Sequence, residues 1–403
     1  METGNERLRP SERANHRQRV AELSRRAARI AGLADGLAAA LVIAAQTHGD
    51  GPFRAPLQWL GEPDSPETRI ARDTSAILLH QSSNSPMALA IQLFEGCDAL
   101  DEAIEFSPFE GRPASEAITE FFEEAASRFD ERTVGALRQL TAVRYRPSLD
   151  TGVPVFPRAA ARLLQTSAET TSAFELESIV SADPVFSAQI LGAANSVCFG
   201  GREEIRQLGH GIMRVGVPFA RKILISACLG QIFSSGALAK LWKHSKTVAA
   251  IAHELAASRG YNQEEAFAAG LLHDIGRILL RRAPAQAREE ESALLAAGFP
   301  LTYAETLVYG KDHAALGAEL LTKWGLPEEM VDAVRLHHFP EKSSSVLAGI
   351  LYLAEEEAGD SGADARHENL ASGVRSAFAR QTTGIRDTQA AISPDAPIFS
   401  LTV

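Results

Sequence analysis

Apolar residues recur every three to four positions along most of this chain, which is the spacing of one face of an α-helix. In the segment 113–142, for example, Ile118, Phe121 and Ala125 share one face and glutamates fill the other. Alternating β-branched runs and Asn-Gly turns, the usual signs of strands and hairpins, are almost absent from 146–360. The pattern therefore predicts an all-α protein.

Prolines and glycines divide this helical pattern into segments. The N-terminus as far as Ala45 is predicted to be one long helix, basic at its start and apolar later. The following stretch, 48–66, is predicted to be a loop because it holds four prolines and three glycines. Further helices are predicted over 67–80, 86–94 and 113–142, with an acidic loop over 95–110.

A second break, RPSLDTGVPVFP at 146–157, predicts a boundary between two domains. We expect a smaller helical N-terminal domain over 1–145 and a multi-helix bundle over 146–360. The last residues, 361–403, contain one weak helical pattern and a Pro/Ser/Thr-rich end, and are predicted to be a loosely ordered tail.

The charge balance limits the partners that the protein can have. A net charge of −11 and a pI near 5.6 argue against a nucleic-acid-binding face across a whole domain. The N-terminus is locally basic and is predicted to be a solvated arm, with a nucleic-acid or acidic-lipid contact as the alternative. Its arginines are Arg7, Arg9, Arg13, Arg17, Arg19, Arg25, Arg26 and Arg29.

The cysteines indicate the compartment. Cys97, Cys198 and Cys228 are scattered and form no CxxC pair, which favours a reducing environment and predicts a cytoplasmic protein. The longest stretch of low polarity, 36–45, is about half the length that a membrane-spanning helix needs, so no membrane span is predicted.

Six of the eleven histidines fall between positions 244 and 338: His244, His253, His273, His313, His337 and His338. His273 and Asp274 stand in the run GLLHDIG, which the pattern places inside a mainly apolar helix. The side chains of adjacent helical residues point about 100° apart, so the His273 imidazole and the Asp274 carboxylate could bind one ion that lies between them. They could equally satisfy neighbouring polar groups, and the dipeptide alone leaves both interpretations open.

The surrounding histidines favour the metal interpretation. His244 lies near the start of the preceding amphipathic helix, and His313 starts a later one. His337 and His338 follow a helix opened by Pro327, just before Pro340. Several imidazoles and a carboxylate on neighbouring helices would suit iron, manganese, zinc or magnesium. His253 lies nine residues after His244, faces another way and is predicted to be structural.

The order of these blocks resembles the HDOD family over most of 146–360. The stretch IVSADPVFSAQILGAANSVCFGG (179–201) resembles the family's signature, and IRQLGHGIMRVGVPFARKILI (205–225) resembles its next helix. The LWKHS block, GLLHDIG, the His313 block and the paired histidines then follow in family order.

This resemblance implies an HD-superfamily fold, whose enzymes hold metals through His…His-Asp…Asp and hydrolyse phosphoesters or cyclic dinucleotides. The residues that match its metal ligands are His244, His273, Asp274, His313, His337 and His338. Three departures matter. The lysine after the doublet is Arg277, the Gly-Tyr-Pro motif after the paired histidines is absent, and the last aspartate has only Glu355 in its place.

Two functions follow from the resemblance. The first is a regulatory module of bacterial signal transduction that acts by binding a protein partner. The alternative is a metal-dependent phosphohydrolase or phosphodiesterase acting on nucleotides or cyclic dinucleotides, with Arg277 or Lys311 as the phosphate clamp. The departures favour the regulatory module, and the retained histidines favour the enzyme. Nucleic acid is not expected as a partner.

Overall fold

The computed structural model describes the chain in segments separated by gaps. The described residues are 10–47, 85–106, 114–143, 145–149, 156–164, 166, 170–181, 184–196, 199, 204–233 and 236–359. Within them the secondary structure is helical and contains no strand, which confirms the all-α prediction. The predictions for 48–66, 67–80 and the tail fall outside these residues.

The chain divides into two compact units. The first contains the described residues up to Pro147 together with Ala283–Asp312, and the second contains Ser148–Arg282 and the described residues from His313 onward. The segment 283–312 lies within the predicted bundle segment 146–360, yet it packs with the N-terminal helices. The three-domain division itself stays a prediction.

Among the described residues of the first unit there are seven α-helices: α1 (Pro10–Ile30), α2 (Asp35–Thr47), α3 (Pro86–Phe106), α4 (Ala114–Arg128), α5 (Glu131–Leu140), α14 (Ala285–Ala296) and α15 (Leu301–Tyr309). The single N-terminal helix predicted to Ala45 is wrong, because Gly32 at φ 69° ends α1 and the chain turns back so that α2 packs on it. The predicted loop 95–110 is also wrong as far as Phe106, since α3 continues there.

The segment predicted as one helix over 113–142 is two helices, because Asp130 starts a new one. Its backbone is extended, and its side chain accepts a hydrogen bond from the Thr133 amide. An aspartate in this position satisfies an amide that the first turn leaves without a partner, so α5 begins here.

A buried ionic cluster joins α1 to α3. Arg19 donates to both carboxylate oxygens of Asp101, and His16 lies 2.8 Å from Asp101 and 3.1 Å from Asp98. Burial opposes a charge on His16, but the two carboxylates raise its pKa to about 10. Arg26 also pairs with Glu290 of α14. The solvated-arm prediction is therefore wrong for the buried Arg19, whereas Arg25 and Arg29 of the same helix are exposed.

The described part of the second unit contains eleven α-helices: α6 (Arg158–Leu164), α7 (Ala173–Val180), α8 (Pro184–Ala194), α9 (Leu208–Val215), α10 (Val217–Gly230), α11 (Ala239–Arg259), α12 (Gln263–Leu272), α13 (Arg277–Leu280), α16 (His313–Lys323), α17 (Glu328–Arg335) and α18 (Val346–Ala358). They share one apolar core. None of the described helices in either unit is both long and apolar enough to cross a membrane.

The long helix α11 runs through the middle of this core and packs on both α12 and α18. Its contact with α12 is close: a Cβ on Gly270 would lie 2.5 Å from the Ala249 Cα. The small residues therefore let the two helix backbones approach each other, which brings the side chains of their polar residues within reach.

Candidate metal centre

The side chains of the candidate site in the second unit come from five helices or the turns that follow them: α11, α12, α16, α17 and α18. His244 lies on α11 and Glu355 lies on α18. His273 directly follows Leu272, the last residue of α12, so the doublet lies in a turn and not inside a helix as predicted. The reason is that Ile275 and Arg277 form i→i+3 hydrogen bonds there, which wind the chain too tightly for α-helix.

The first group of ligands is formed by His244, His273 and Glu355. One donor atom from each lies within 4.8 Å of the other two. The Nε2 atoms of His244 and His273 are 3.2 Å apart. Three side chains from three helices therefore point into one small volume.

The second group is formed by His313, His337 and His338, whose donor atoms also lie within 4.8 Å of one another. The Nε2 atoms of His313 and His338 are 2.9 Å apart. His313 comes from the start of α16, and the other two come from the turn after α17. The second group thus collects the histidines that follow the His-Asp doublet in the sequence.

The carboxylate of Asp274 lies between the two groups. Its Oδ1 atom is 3.2 Å from His313 Nε2, and its Oδ2 atom is 3.8 Å from the Nε2 atoms of both His244 and His273. Glu355 also reaches both groups, since its Oε2 atom is 3.8 Å from His337 Nε2 and 3.7 Å from His338 Nδ1. Asp274 and Glu355 thus each bring a carboxylate close to both groups, and each group could hold a metal ion.

Backbone carbonyls fix the orientation of two of the rings. His273 Nδ1 is 2.8 Å from the Gly270 carbonyl, and His337 Nδ1 is 2.6 Å from the Val334 carbonyl. A carbonyl oxygen can only accept, so each Nδ1 carries the proton and each Nε2 keeps its lone pair. This is the tautomer in which a neutral imidazole binds metal through Nε2.

The spacing fits metal ions. Two nitrogens bound to one ion at about 2.1 Å are roughly 3.0 Å apart at a right angle and roughly 3.4 Å apart in a tetrahedron. The two Nε2 pairs, at 3.2 and 2.9 Å, lie in or just below this range. In addition, His337 Nε2 and Asp274 Oδ1 are buried and make no hydrogen bond. A purely structural hydrogen-bonded cluster would leave His337 Nε2 unsatisfied at a cost of about 1–3 kcal/mol, whereas Asp274 Oδ1 has the His313 ring 3.2 Å away.

Burial sets the protonation states that an incoming cation would meet. It lowers the pKa of His273 to about 4 and the pKa of His337 well below its ordinary value. Burial also acts to raise the pKa of Asp274, but Arg277 and the neighbouring histidines together hold it well below the ordinary value. Burial and then the negative charge of Asp274 raise the pKa of Glu355 to about 8.

Gly276 sets the distance between the doublet and α16. A Cβ at this position would come within 2.6 Å of the Gly317 backbone nitrogen and closer still to the His313 carbonyl oxygen. Only glycine lets the two backbones approach so far, and that approach places Asp274 beside His313. Gly276 is the last residue of the run GLLHDIG, but nothing in the local pattern indicates this close approach to α16.

The other candidate residues lie in different surroundings. Arg277 Nη1 is 2.9 Å from Asp274 Oδ2, so its guanidinium is bonded to the shared carboxylate. Lys311 is exposed and belongs to the first unit, and its suggested role as a phosphate clamp stays a prediction. His253 is not among the grouped ligands and contacts Lys222 and the Gln263 carbonyl instead.

Comparison with known proteins identifies the family that carries this site. The protein-family model of the HDOD domain matches residues 153–340 of this chain. The chain carries an HDOD domain. This confirms the family inferred from the order of the motifs, and the matched residues include Asp274 and five of the six grouped side chains. Glu355 lies beyond the matched HDOD residues, on the helix that follows.

Two curated proteins are similar to part of this chain. An uncharacterized protein from Treponema pallidum is 24% identical over 187 residues, which is 44% of this chain and 36% of that protein. Ribonuclease Y from Pelobacter propionicus is 32% identical over 119 residues, 30% of this chain and 18% of the enzyme. The chain thus spans about a third or less of the length of these two relatives.

A solved structure is also similar to this chain. An HDOD domain protein of unknown function from Geobacter sulfurreducens is 19% identical, with a TM-score of 0.46. The similarity covers 57% of this chain and 93% of that one.

Proposed function

We propose that the HDOD domain holds two divalent metal ions and serves in signal transduction as a metal-loaded module that binds a protein partner. The observation that carries the metal assignment is the convergence of two three-residue groups on the shared carboxylate of Asp274. His244, His273 and Glu355 would hold one ion, and the other three histidines would hold the second. Imidazole with carboxylate suits manganese, iron or zinc.

Binding is favoured over turnover by the position of Arg277. A divalent ion pair can supply a water of lowered pKa and can polarise a phosphoryl oxygen. Hydrolysis also needs a cation placed against the phosphate. The one cation that the doublet turn offers, Arg277, is already bonded to Asp274, and arginine does not replace a tuned lysine freely.

Phosphodiester hydrolysis is the second candidate. It is favoured by the carboxylate that spans both groups, since two ions a few ångströms apart can hold the attacking and leaving oxygens of a displacement. The similarity to ribonuclease Y over 119 residues makes RNA one substrate to test, beside cyclic dinucleotides and nucleotides.

A hydrolysis assay separates these two functions. The purified chain is incubated with Mn²⁺, Fe²⁺ or Mg²⁺ and a short RNA, cyclic dinucleotides, nucleotides and a simple phosphodiester. We expect metal binding without multiple turnovers, because loss of one positioned cation commonly costs about 10²–10³ in rate. Multiple turnovers that disappear in folded His273→Ala and Asp274→Ala variants would establish the enzyme and end the binding-only proposal.

The raised pKa of Glu355 predicts that metal uptake releases a proton. With a pKa of about 8, this carboxyl is protonated at pH 7 in the metal-free protein, and a ligand carboxylate must be ionised. His273 is already neutral there and adds no proton. The Glu355 contribution to metal affinity should therefore rise with pH up to about 8 and then level off.

Calorimetric titration of the metal-free protein with Mn²⁺, in two buffers of different ionisation enthalpy, measures this release. We expect about one proton at pH 7 and much less at pH 9. The Glu355→Gln variant keeps the shape of the side chain and should release none at either pH. An equal release by the wild type and this variant at pH 7 would assign the proton to another group.

A further inference from the structure

A polar cluster joins three helices of the second unit away from the grouped histidines. Lys222 comes from α10, His253 comes from α11, and the carbonyl of Gln263 begins α12. Lys222 Nζ is 3.0 Å from His253 Nε2, and His253 Nδ1 is 3.1 Å from the Gln263 carbonyl oxygen. Only 9% of Lys222 is exposed, so an ammonium group lies nearly buried against an imidazole.

These contacts fix the charge state of the imidazole. The Gln263 carbonyl can only accept, so His253 Nδ1 must carry a proton. A charged Lys222 can only donate, so His253 Nε2 must offer its lone pair. Both contacts are made at once only when His253 is neutral. A second proton on the ring would place an N–H against the ammonium, about 3 Å from it, with like charges on both.

The charged neighbours do not remove this conflict. On the α10 side they are Arg221 and Lys222, and on the α12 side the charged group is Glu264. The Glu264 carboxylate is held by Arg221 Nε at 2.9 Å. Burial, and then the charge of Lys222, lower the pKa of His253, and burial lowers the pKa of Lys222 although Glu264 acts to raise it.

We propose that Lys222, His253 and the Gln263 carbonyl form an acid-sensitive junction that holds the start of α12 and opens when His253 gains a second proton. Helix α12 ends at Leu272, directly before the ligands His273 and Asp274. Opening the junction frees the first turn of the helix that presents them. The junction therefore couples the ambient pH to the support of the HDOD site without any change in the ligands themselves.

The sign of the effect follows from the lowered pKa of His253. The histidine of an opened junction titrates near 6.5, and that of the closed junction titrates lower. The closed state is therefore fully favoured above about pH 6.5 and loses its advantage as the pH falls below that value. The amide-exchange protection of the first turn of α12 should therefore fall as the pH is lowered. Once the pH is below both pKa values of His253, the total fall is roughly tenfold for each pH unit that separates them.

Amide hydrogen exchange of the full chain tests the proposal. The reporters are the amides of Glu264, Glu265 and Ala266, which bond to the side chain or carbonyl of Asn262 in the first turn of α12. Protection factors, corrected for the intrinsic pH dependence of exchange, are compared between pH 7.5 and pH 5.5. We expect them to fall several-fold in the wild type as the pH is lowered.

Two variants assign the effect to the cluster. His253→Gln can donate to the Gln263 carbonyl and accept from Lys222 but does not titrate, so its protection should not change with pH. Lys222→Met removes the positive charge that opposes a second proton on His253, so the protection factors of this variant should depend less on pH. It supplies the test if the glutamine variant does not fold. A wild type without pH dependence, or an equal fall in the wild type and a folded variant, overturns the proposal.

Discussion

Replacing Asp274 by asparagine should remove most of the bound metal from the HDOD domain. Asparagine keeps the size of the side chain but has no negative charge, and its nitrogen cannot bind a cation. The two oxygens of Asp274 face different ligand groups, so the substitution should weaken both ion positions together. We expect each affinity to fall by at least about 100-fold, the upper end of losses for groups that merely support a ligand.

Elemental analysis of protein purified without chelators, followed by competition with a fluorescent chelator, measures the loss. The wild type should carry close to two equivalents of metal, as two ligand groups predict. The matched control is Glu357→Gln, which removes the same charge from an exposed position two residues after Glu355. Two equivalents retained by Asp274→Asn at unchanged affinity would contradict a shared carboxylate and favour the structural hydrogen-bonded pair.

The proximity of the grouped residues could be predicted from sequence because each stands in a recognisable local context. The histidine blocks follow one another in family order, and the structure brings His244, His273 and His313 together with the later pair. Sequence could not settle whether Glu355 reaches the site, because an extra methylene moves a carboxylate by roughly an ångström. Its carboxylate lies 3.7–3.8 Å from the paired histidines, a distance that only the packing of α18 determines.

The organisation of the first unit was harder to predict. An arginine-rich helix has the same local pattern whether its charges meet solvent or buried carboxylates, and the partner of Arg19 is Asp101, 82 residues away. Nothing near 283–312 marks that segment as part of the N-terminal unit, since amphipathic helices show which face is buried but not the helix that buries it.

Changing Gly276 to alanine should damage both the stability of the second unit and its metal site. The added Cβ would overlap the His313 carbonyl and lie 2.6 Å from the Gly317 nitrogen. These are backbone atoms of one helix, so no flexible side chain can move away, and α16 must shift as a body. We expect a loss of about 3 kcal/mol in the free energy of unfolding, the upper end of the range for overpacking.

The same shift moves His313 away from Asp274, whose Oδ1 atom lies 3.2 Å from His313 Nε2. Metal at the second ligand group should therefore be lost before metal at the first, giving close to one equivalent in protein that still folds. Urea unfolding and elemental analysis of the same sample measure both effects. The control is Gly236→Ala in the same unit, where an added Cβ meets no atom within 4 Å. Equal stability and equal metal content in both variants would show that α16 can adjust, and that the close approach at Gly276 does not set the distance between the two ligand groups.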